Sequence, residues 1–147
     1  MAGTQRQKKC LICNGRADKK FKRTEVWSDK RWRLTTTRYK QVMGLSYLEP
    51  KKHIAFLSDL NGKEAQEFGV ILSRASRAIK AVTNAPIVYY YIFGDTISHL
   101  HVHIAPHFPG DVFSENVVKD TFDERKLRTM EPDKVSDLVE RIKEAMD

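Results

Sequence analysis

The stretch Gly94-Asp95-Thr96-Ile97-Ser98-His99-Leu100-His101-Val102-His103-Ile104-Ala105-Pro106 decides how the rest of the chain is read. Its centre alternates histidine with an apolar residue. A β-strand places residues i, i+2 and i+4 on one face. On a strand closed by Pro106, His99, His101 and His103 share a face, and Leu100, Val102 and Ile104 form the opposite, core-directed one. A row of three imidazoles is unfavourable if all are charged. One shared function accounts for such a row better than chance surface placement.

Working outward, Ile87 to Phe93 is a nearly continuous apolar and aromatic run that reads as a buried strand, and Gly94-Asp95 turns it into the histidine strand. Before it, Ala65, Phe68, Leu72, Ala75, Ile79 and Val82 recur at steps of three and four, the stripe of an amphipathic helix. Ser58 or Asn61 can cap that helix, and Asn84-Ala85-Pro86 ends it. Glu25-Val26-Trp27 and Trp32 to Thr37 are β-rich runs split by Ser28-Asp29-Lys30, a hairpin pattern. Leu45 to Leu48 is a further strand between Gly44 and Pro50, and Phe108 to Thr129 is irregular. Pro132 opens a last helix with Val135, Leu138, Val139, Ile142 and Met146 on its stripe. The grouping predicts an α+β fold with an antiparallel sheet of about five strands, one long helix and a C-terminal helix.

The chain of 147 residues is 41% hydrophobic and 31% charged, the composition of an ordinary globular protein, and is expected to form a single domain over 1–147. Residues 1–9 read as a mobile basic arm and 111–147 as a C-terminal extension carrying the last helix. No run approaches a membrane span, and no apolar segment follows the basic N-terminus as in a secretory signal, so the expected location is cytoplasmic. The net charge of +7 is uneven: residues 1–40 carry +10 and the remainder −3. A basic section beside a histidine cleft attracts phosphate-bearing ligands, and nucleic acid is one such partner.

The two cysteines, Cys10 and Cys13, form a C-x-x-C followed by Asn14-Gly15. C-x-x-C is half of a zinc site or a redox pair. A tight turn at Asn14-Gly15 suits a zinc knuckle, which needs two further ligands, and histidines supply them. A neutral imidazole is a good nucleophile at neutral pH and a good leaving group when protonated. Attack on an α-phosphate gives a nucleotidyl-histidine that water then hydrolyses. No acidic cluster suggests a magnesium cage.

The run from Gly94 to Pro106, together with Leu48-Glu49-Pro50-Lys51-Lys52-His53-Ile54, resembles the signature of the histidine-triad (HIT) superfamily, and its zinc-binding, shorter-looped branch in particular. The resemblance covers roughly residues 10–110 in order. It implies a nucleotide hydrolase or transferase, a homodimer, cleaving at the α-phosphate of a dinucleoside polyphosphate or nucleoside phosphoramidate. Alternatives it leaves open are a deadenylase of 5′-adenylylated nucleic acid and a non-catalytic nucleotide-binding protein. Carried over by position, His101 is the nucleophile, His103 contacts the α-phosphate, Thr96 supplies a hydroxyl and Gly94 a close backbone approach. Cys10, Cys13, His53 and His99 become structural zinc ligands. The chain departs from the pattern where Thr37 stands for a ribose-binding Asn or Asp, and where His107 follows the proline in place of Arg as a substrate contact.

Overall fold

Successive side chains along a strand point to opposite sides, which gives the sheet two faces. The structure, a computed structural model, describes residues 7–112 and 123–147. Five strands, β1 (Arg23–Ser28), β2 (Trp32–Thr37), β3 (Ser46–Pro50), β4 (Ile87–Tyr91) and β5 (Val102–His107), form one antiparallel sheet in the order β1-β2-β3-β5-β4. With them go the helices α1 (Arg16–Lys20), α2 (Gly62–Thr83) and α3 (Pro132–Met146). This is the expected α+β arrangement. No described helix is long and apolar enough to cross a membrane.

One sheet face packs against α2 and α3. Trp32, Leu34, Leu48, Val102 and Ile104 from the sheet meet Ile71, Ala75 and Ile79 of α2 and Leu138, Ile142 and Met146 of α3. Burying each such large side chain contributes roughly 2 kcal/mol. Asn61 occupies the N-cap position of α2 without a side-chain capping bond, and α2 ends on Asn84 in the left-handed region and α3 starts with Pro132 as the sequence suggests. The buried stripe of α2 takes in Ile71 and Ala78, while Ala65 stays exposed and Phe68, Leu72 and Val82 are half-buried.

Two strand expectations are corrected. The histidine strand begins only at Val102, so His99 and His101 lie in the bend that leads into it, and it runs through Pro106 to His107. Proline fits there because the β3 ladder on that side has already ended at Ile104. Ile87–Tyr91 is an edge strand, not a buried one, with Ile87 and Tyr90 about half exposed. An apolar run alone does not distinguish a core strand from an edge strand with an outward apolar face.

The second face holds the odd-numbered residues of β3 and β5. The register Thr35↔Tyr47↔His103↔Tyr91 makes one row across the sheet. One row further along lie Arg23, paired with Thr37, and Tyr89, paired with Ala105. Gly44, just before β3, has φ +90° and a Cβ there would lie 2.4 Å from the Thr83 methyl, so the entry to β3 has no room for a side chain. Of the stretch expected to be irregular, residues 113–122 lie outside the described residues. Residues 123–130 return to the corner after β2, where Tyr39 bridges Thr129, the Lys40 N–H donates to the Arg128 carbonyl and Leu127 packs inward.

Candidate active site and metal centre

The three histidines of the motif do three different things because the bend before β5 turns the first away from the other two. His99 is 1% exposed, and its Nε2–H donates to the Pro50 carbonyl at 2.9 Å. That bond leaves Nδ1 as the ligating nitrogen. Nδ1 lies 3.4 Å from both Cys10 Sγ and Cys13 Sγ. His53 Nδ1 lies 3.4 Å from Cys13 Sγ, and all four donor atoms fall within 4.8 Å of one another.

A lone pair on one ring nitrogen accepts one S–H, so thiol hydrogen bonds do not satisfy this set. A tetrahedral cation does. With Zn–S near 2.3 Å and Zn–N near 2.05 Å, adjacent S and N ligands stand about 3.5 Å apart. The knuckle turn agrees: the Cys13 N–H donates to Cys10 Sγ, Asn14 N–H donates to the Cys10 carbonyl, and Gly15 takes φ +80°. Burial pushes the pKa of His99 down to about 4, which keeps the ring in its neutral, ligating form. The donor set therefore fits zinc.

His101 is half-buried, and its Nδ1–H donates to the His99 carbonyl at 2.6 Å. A carbonyl only accepts, so the proton sits on Nδ1 and Nε2 keeps its lone pair. Burial lowers the pKa of His101, favouring that neutral form. His103 stacks on Tyr91 at 4.2 Å, meets Tyr47 edge-on at 4.9 Å and has its ring 5.2 Å from that of His101. Burial, reinforced by His101, pushes His103 to about 3. Its Nδ1 is buried with no hydrogen-bond partner among the described residues.

His101 and His103 open onto a cavity of about 240 Å³. Ile12 and Phe21 come from the knuckle segment, Thr37 and Tyr39 from the end of β2, and Gly94 and Thr96 from the loop after β4. Of the residues expected at the site, Thr96, Gly94 and Thr37 thus line the cavity with His101 and His103. Gly94 packs against Phe56, with a Cβ position 3.3 Å from that ring. His107 is not brought there. It is buried and stacked on Tyr89 at 4.7 Å. Because β5 continues past the proline, His107 sits four residues, roughly 13 Å, beyond His103.

The sequence reading missed the cavity's cation. Arg23, 3% exposed, is the one Lys or Arg among the described residues lining it. Its guanidinium lies 4.9 Å over the Tyr47 ring and forks onto Glu49 through Nη1 (3.2 Å) and Nη2 (3.1 Å). Asp18 of α1 accepts from Nε and Nη2 of the same arginine. Arg33 completes the group, donating to Glu49 at 2.9 Å, to Glu25 at 2.7 Å and to Asp18. Burial opposes ionisation of Asp18, but the bonds from Arg33 and Arg23 prevail and hold its carboxyl below the ordinary value. The period-2 rule contained the signal: Glu49 alternates with Leu48 and falls on the face of Tyr47.

Several solved histidine triad proteins share this architecture. A hypothetical histidine triad nucleotide-binding protein from Sulfolobus tokodaii is 24% identical, covering 93% of this chain and 91% of that one, with a TM-score of 0.68. A histidine triad protein from Bradyrhizobium japonicum is 17% identical over 89% and 96% of the two chains, with a TM-score of 0.76. A Zn-bound histidine triad family protein from Mycobacterium smegmatis is 18% identical over 94% and 93%, with a TM-score of 0.62. No family model and no curated protein matches the sequence. The chain has the histidine-triad fold.

Glu49 is fully buried between two guanidinium groups. Glu49→Gln keeps the shape but leaves Arg23 and Arg33 without their shared counter-charge. The expected loss is about 3 kcal/mol of stability, read from urea midpoints at fixed pH. A loss below about 1 kcal/mol would show that the network is solvated and does not hold the cavity floor.

Proposed function

We propose that the chain is a nucleotide phosphohydrolase of the histidine-triad superfamily, cleaving at the α-phosphate of a dinucleoside polyphosphate or nucleoside phosphoramidate. The observation that carries this reading is the locked tautomer of His101, whose Nδ1–H is held by the His99 carbonyl at the edge of a cavity lined by His103, Thr96 and Arg23. In the first step the Nε2 lone pair attacks phosphorus. The bond to the bridging oxygen or nitrogen breaks, and its electron pair leaves with that atom, which takes a proton. In the second step water adds to phosphorus, returning to solvent the proton the leaving group took up, and the N–P bond returns its pair to the ring. A nucleoside monophosphate departs.

Charge builds on the non-bridging oxygens in both steps, and donors must already be aimed at it. His103, held neutral and lining the cavity beside His101, supports a role as one donor. The Thr96 hydroxyl and the Arg23 guanidinium supply others. The nucleoside is assigned to the aromatic end of the cavity, among Phe21, Tyr39 and Thr37.

His101→Ala is expected to lower turnover of diadenosine tetraphosphate or an adenosine phosphoramidate by at least about a thousandfold, with an unchanged melting curve. Intact mass spectrometry of His103→Ala protein after mixing should show a nucleotidyl adduct that His101→Ala protein lacks. Turnover above about a hundredth of wild type in His101→Ala, on the same scale, would move the nucleophile elsewhere.

Cys10, Cys13, His53 and His99 are proposed as the ligands of a structural zinc, closed to solvent by four protein donors. Freshly purified protein should contain about one zinc per chain, and Cys13→Ser should lose it and melt earlier. Absence of metal, with no rise in melting temperature on adding Zn²⁺, would remove the site.

The homodimer implied by the resemblance would use α2 and the edge strand β4. Val70, 69% exposed, and Ile87 and Tyr90, at 47% and 48%, leave apolar surface on those two elements. Sedimentation at micromolar concentration is expected to give two chains per particle, and a monomer there sinks the assignment.

A further inference from the structure

Three segments far apart in sequence converge beyond the aromatic end of the cavity. They are 19–22 at the end of α1 and just past it, 38–41 after β2 and 125–129 of the returning C-terminal chain. Together they hold eight Lys or Arg residues and no Asp or Glu. Backbone bonds tie them: Arg38 N–H to the Lys22 carbonyl at 2.7 Å, Lys40 N–H to the Arg128 carbonyl at 2.9 Å and Met130 N–H to the Arg38 carbonyl at 2.7 Å. Leu127 packs inward against the cluster of Tyr39 and Leu45, and its neighbours Lys126 and Arg128 are exposed. Lys20, Lys22 and Lys40 are exposed as well.

The rim is built against the cavity wall. Lys20 Nζ lies 5.4 Å from the centre of the Phe21 ring, which itself lines the cavity. Lys22 holds φ 51°, an uncommon conformation for a side-chain-bearing residue, in the turn between Phe21 and Arg23. Of the nearby carboxylates, Asp18 is paired with Arg23 and Arg33 and Asp123 with Arg125, while Glu131 is exposed.

The position of these cations selects the ligand. Tyr39 lies four residues past Thr35, which shares the His103 row, so the rim begins roughly 13 Å from the proposed phosphate position. A dinucleoside polyphosphate keeps its phosphates at the histidine end. Only a ligand that carries phosphate on the far side of the nucleoside reaches the rim. We propose that the rim formed by Lys20, Lys22, Lys40, Lys126 and Arg128 takes the phosphodiester backbone of a single-stranded nucleic acid whose 5′-terminal nucleotide occupies the cavity. This rests on the nucleotide reading of the cavity and names its substrate class: the strand continues from the bound nucleoside, and the leaving group lies on the other side of the α-phosphate.

The test is fluorescence anisotropy with the full chain and a 5′-phosphorylated, 3′-labelled single strand of about eight nucleotides. Affinity is read against salt, with AMP and polyglutamate as competitors. The strand should bind at least tenfold more tightly than AMP at low salt, with log K falling against log salt by about 0.7 for each phosphate neutralised. The double variant Lys40→Glu/Lys126→Glu should lower that slope by about 1.4 and leave AMP binding unchanged. Lys20→Glu, at a separate point of the rim, should weaken the strand in the same way should the double variant fold poorly. Binding no tighter than AMP, an unaltered salt slope in folded variants, or equal competition by polyglutamate overturns the proposal. Failure of the nucleotide reading has another signature. A strand that shows the slope and the variant effects but is not displaced by AMP retains the rim and removes the cavity from it.

Discussion

A carboxylate buried between two guanidinium groups has no tolerance for losing either of them, and that constraint organises the site face of this sheet. Glu49 sits on the inner strand β3, Arg23 on β1, Arg33 on β2, and Asp18 on α1 reaches both arginines. Removing one partner of such a group exposes the others to full desolvation cost, so the set forms together or not at all. Its geometric consequence is that Arg23 is held over the ring of Tyr47, which meets His103 edge-on. The cation facing the cavity is therefore placed by groups that do not face it.

The same sheet face separates three chemically identical side chains. His99 is turned by the bend toward two sulfurs and capped by the Pro50 carbonyl. His101 spends one nitrogen on that bend's own backbone, and His103 is enclosed by Tyr47, Tyr91 and Phe93. Burial lowers all three pKa values, yet the open nitrogen is Nδ1 in His99 and Nε2 in His101. A neutral row avoids the mutual repulsion that three charged imidazoles would suffer, which is how histidines can alternate so closely.

Much of this architecture was legible from periodicity. The helix stripes, the hairpin before Thr37, Pro132 at a helix start and the odd-even division of β3 and β5 are local patterns, and the ordered C-x-x-C and histidines pointed to one cluster. What escaped were long-range facts. Nothing local distinguishes Ile87–Tyr91 as an edge strand, or shows that β5 starts at Val102 and continues past Pro106. His107 looked like a neighbour of the triad because it is near in sequence, yet the extended strand carries it away. The partners of Glu49, Arg33 and Arg23, lie 16 and 26 residues before it, and residues 125–128 become neighbours of residues 38–41 only through the return of the chain.

The N-terminal segment shows why both anchors are needed. Helix α1 has five residues, too few to hold a helix in water by itself. It is nevertheless the element between the cysteines and Phe21, and Ile12 and Phe21 are cavity walls. On one side the cysteines meet His53 and His99; on the other, Asp18 meets Arg23 and Arg33. Each anchor fixes one end of a segment that would otherwise gain more entropy by leaving the sheet than its small apolar contact returns. The cavity wall is thus an outcome of two polar clusters, the cysteine–histidine set at one end of the segment and the carboxylate–guanidinium set at the other.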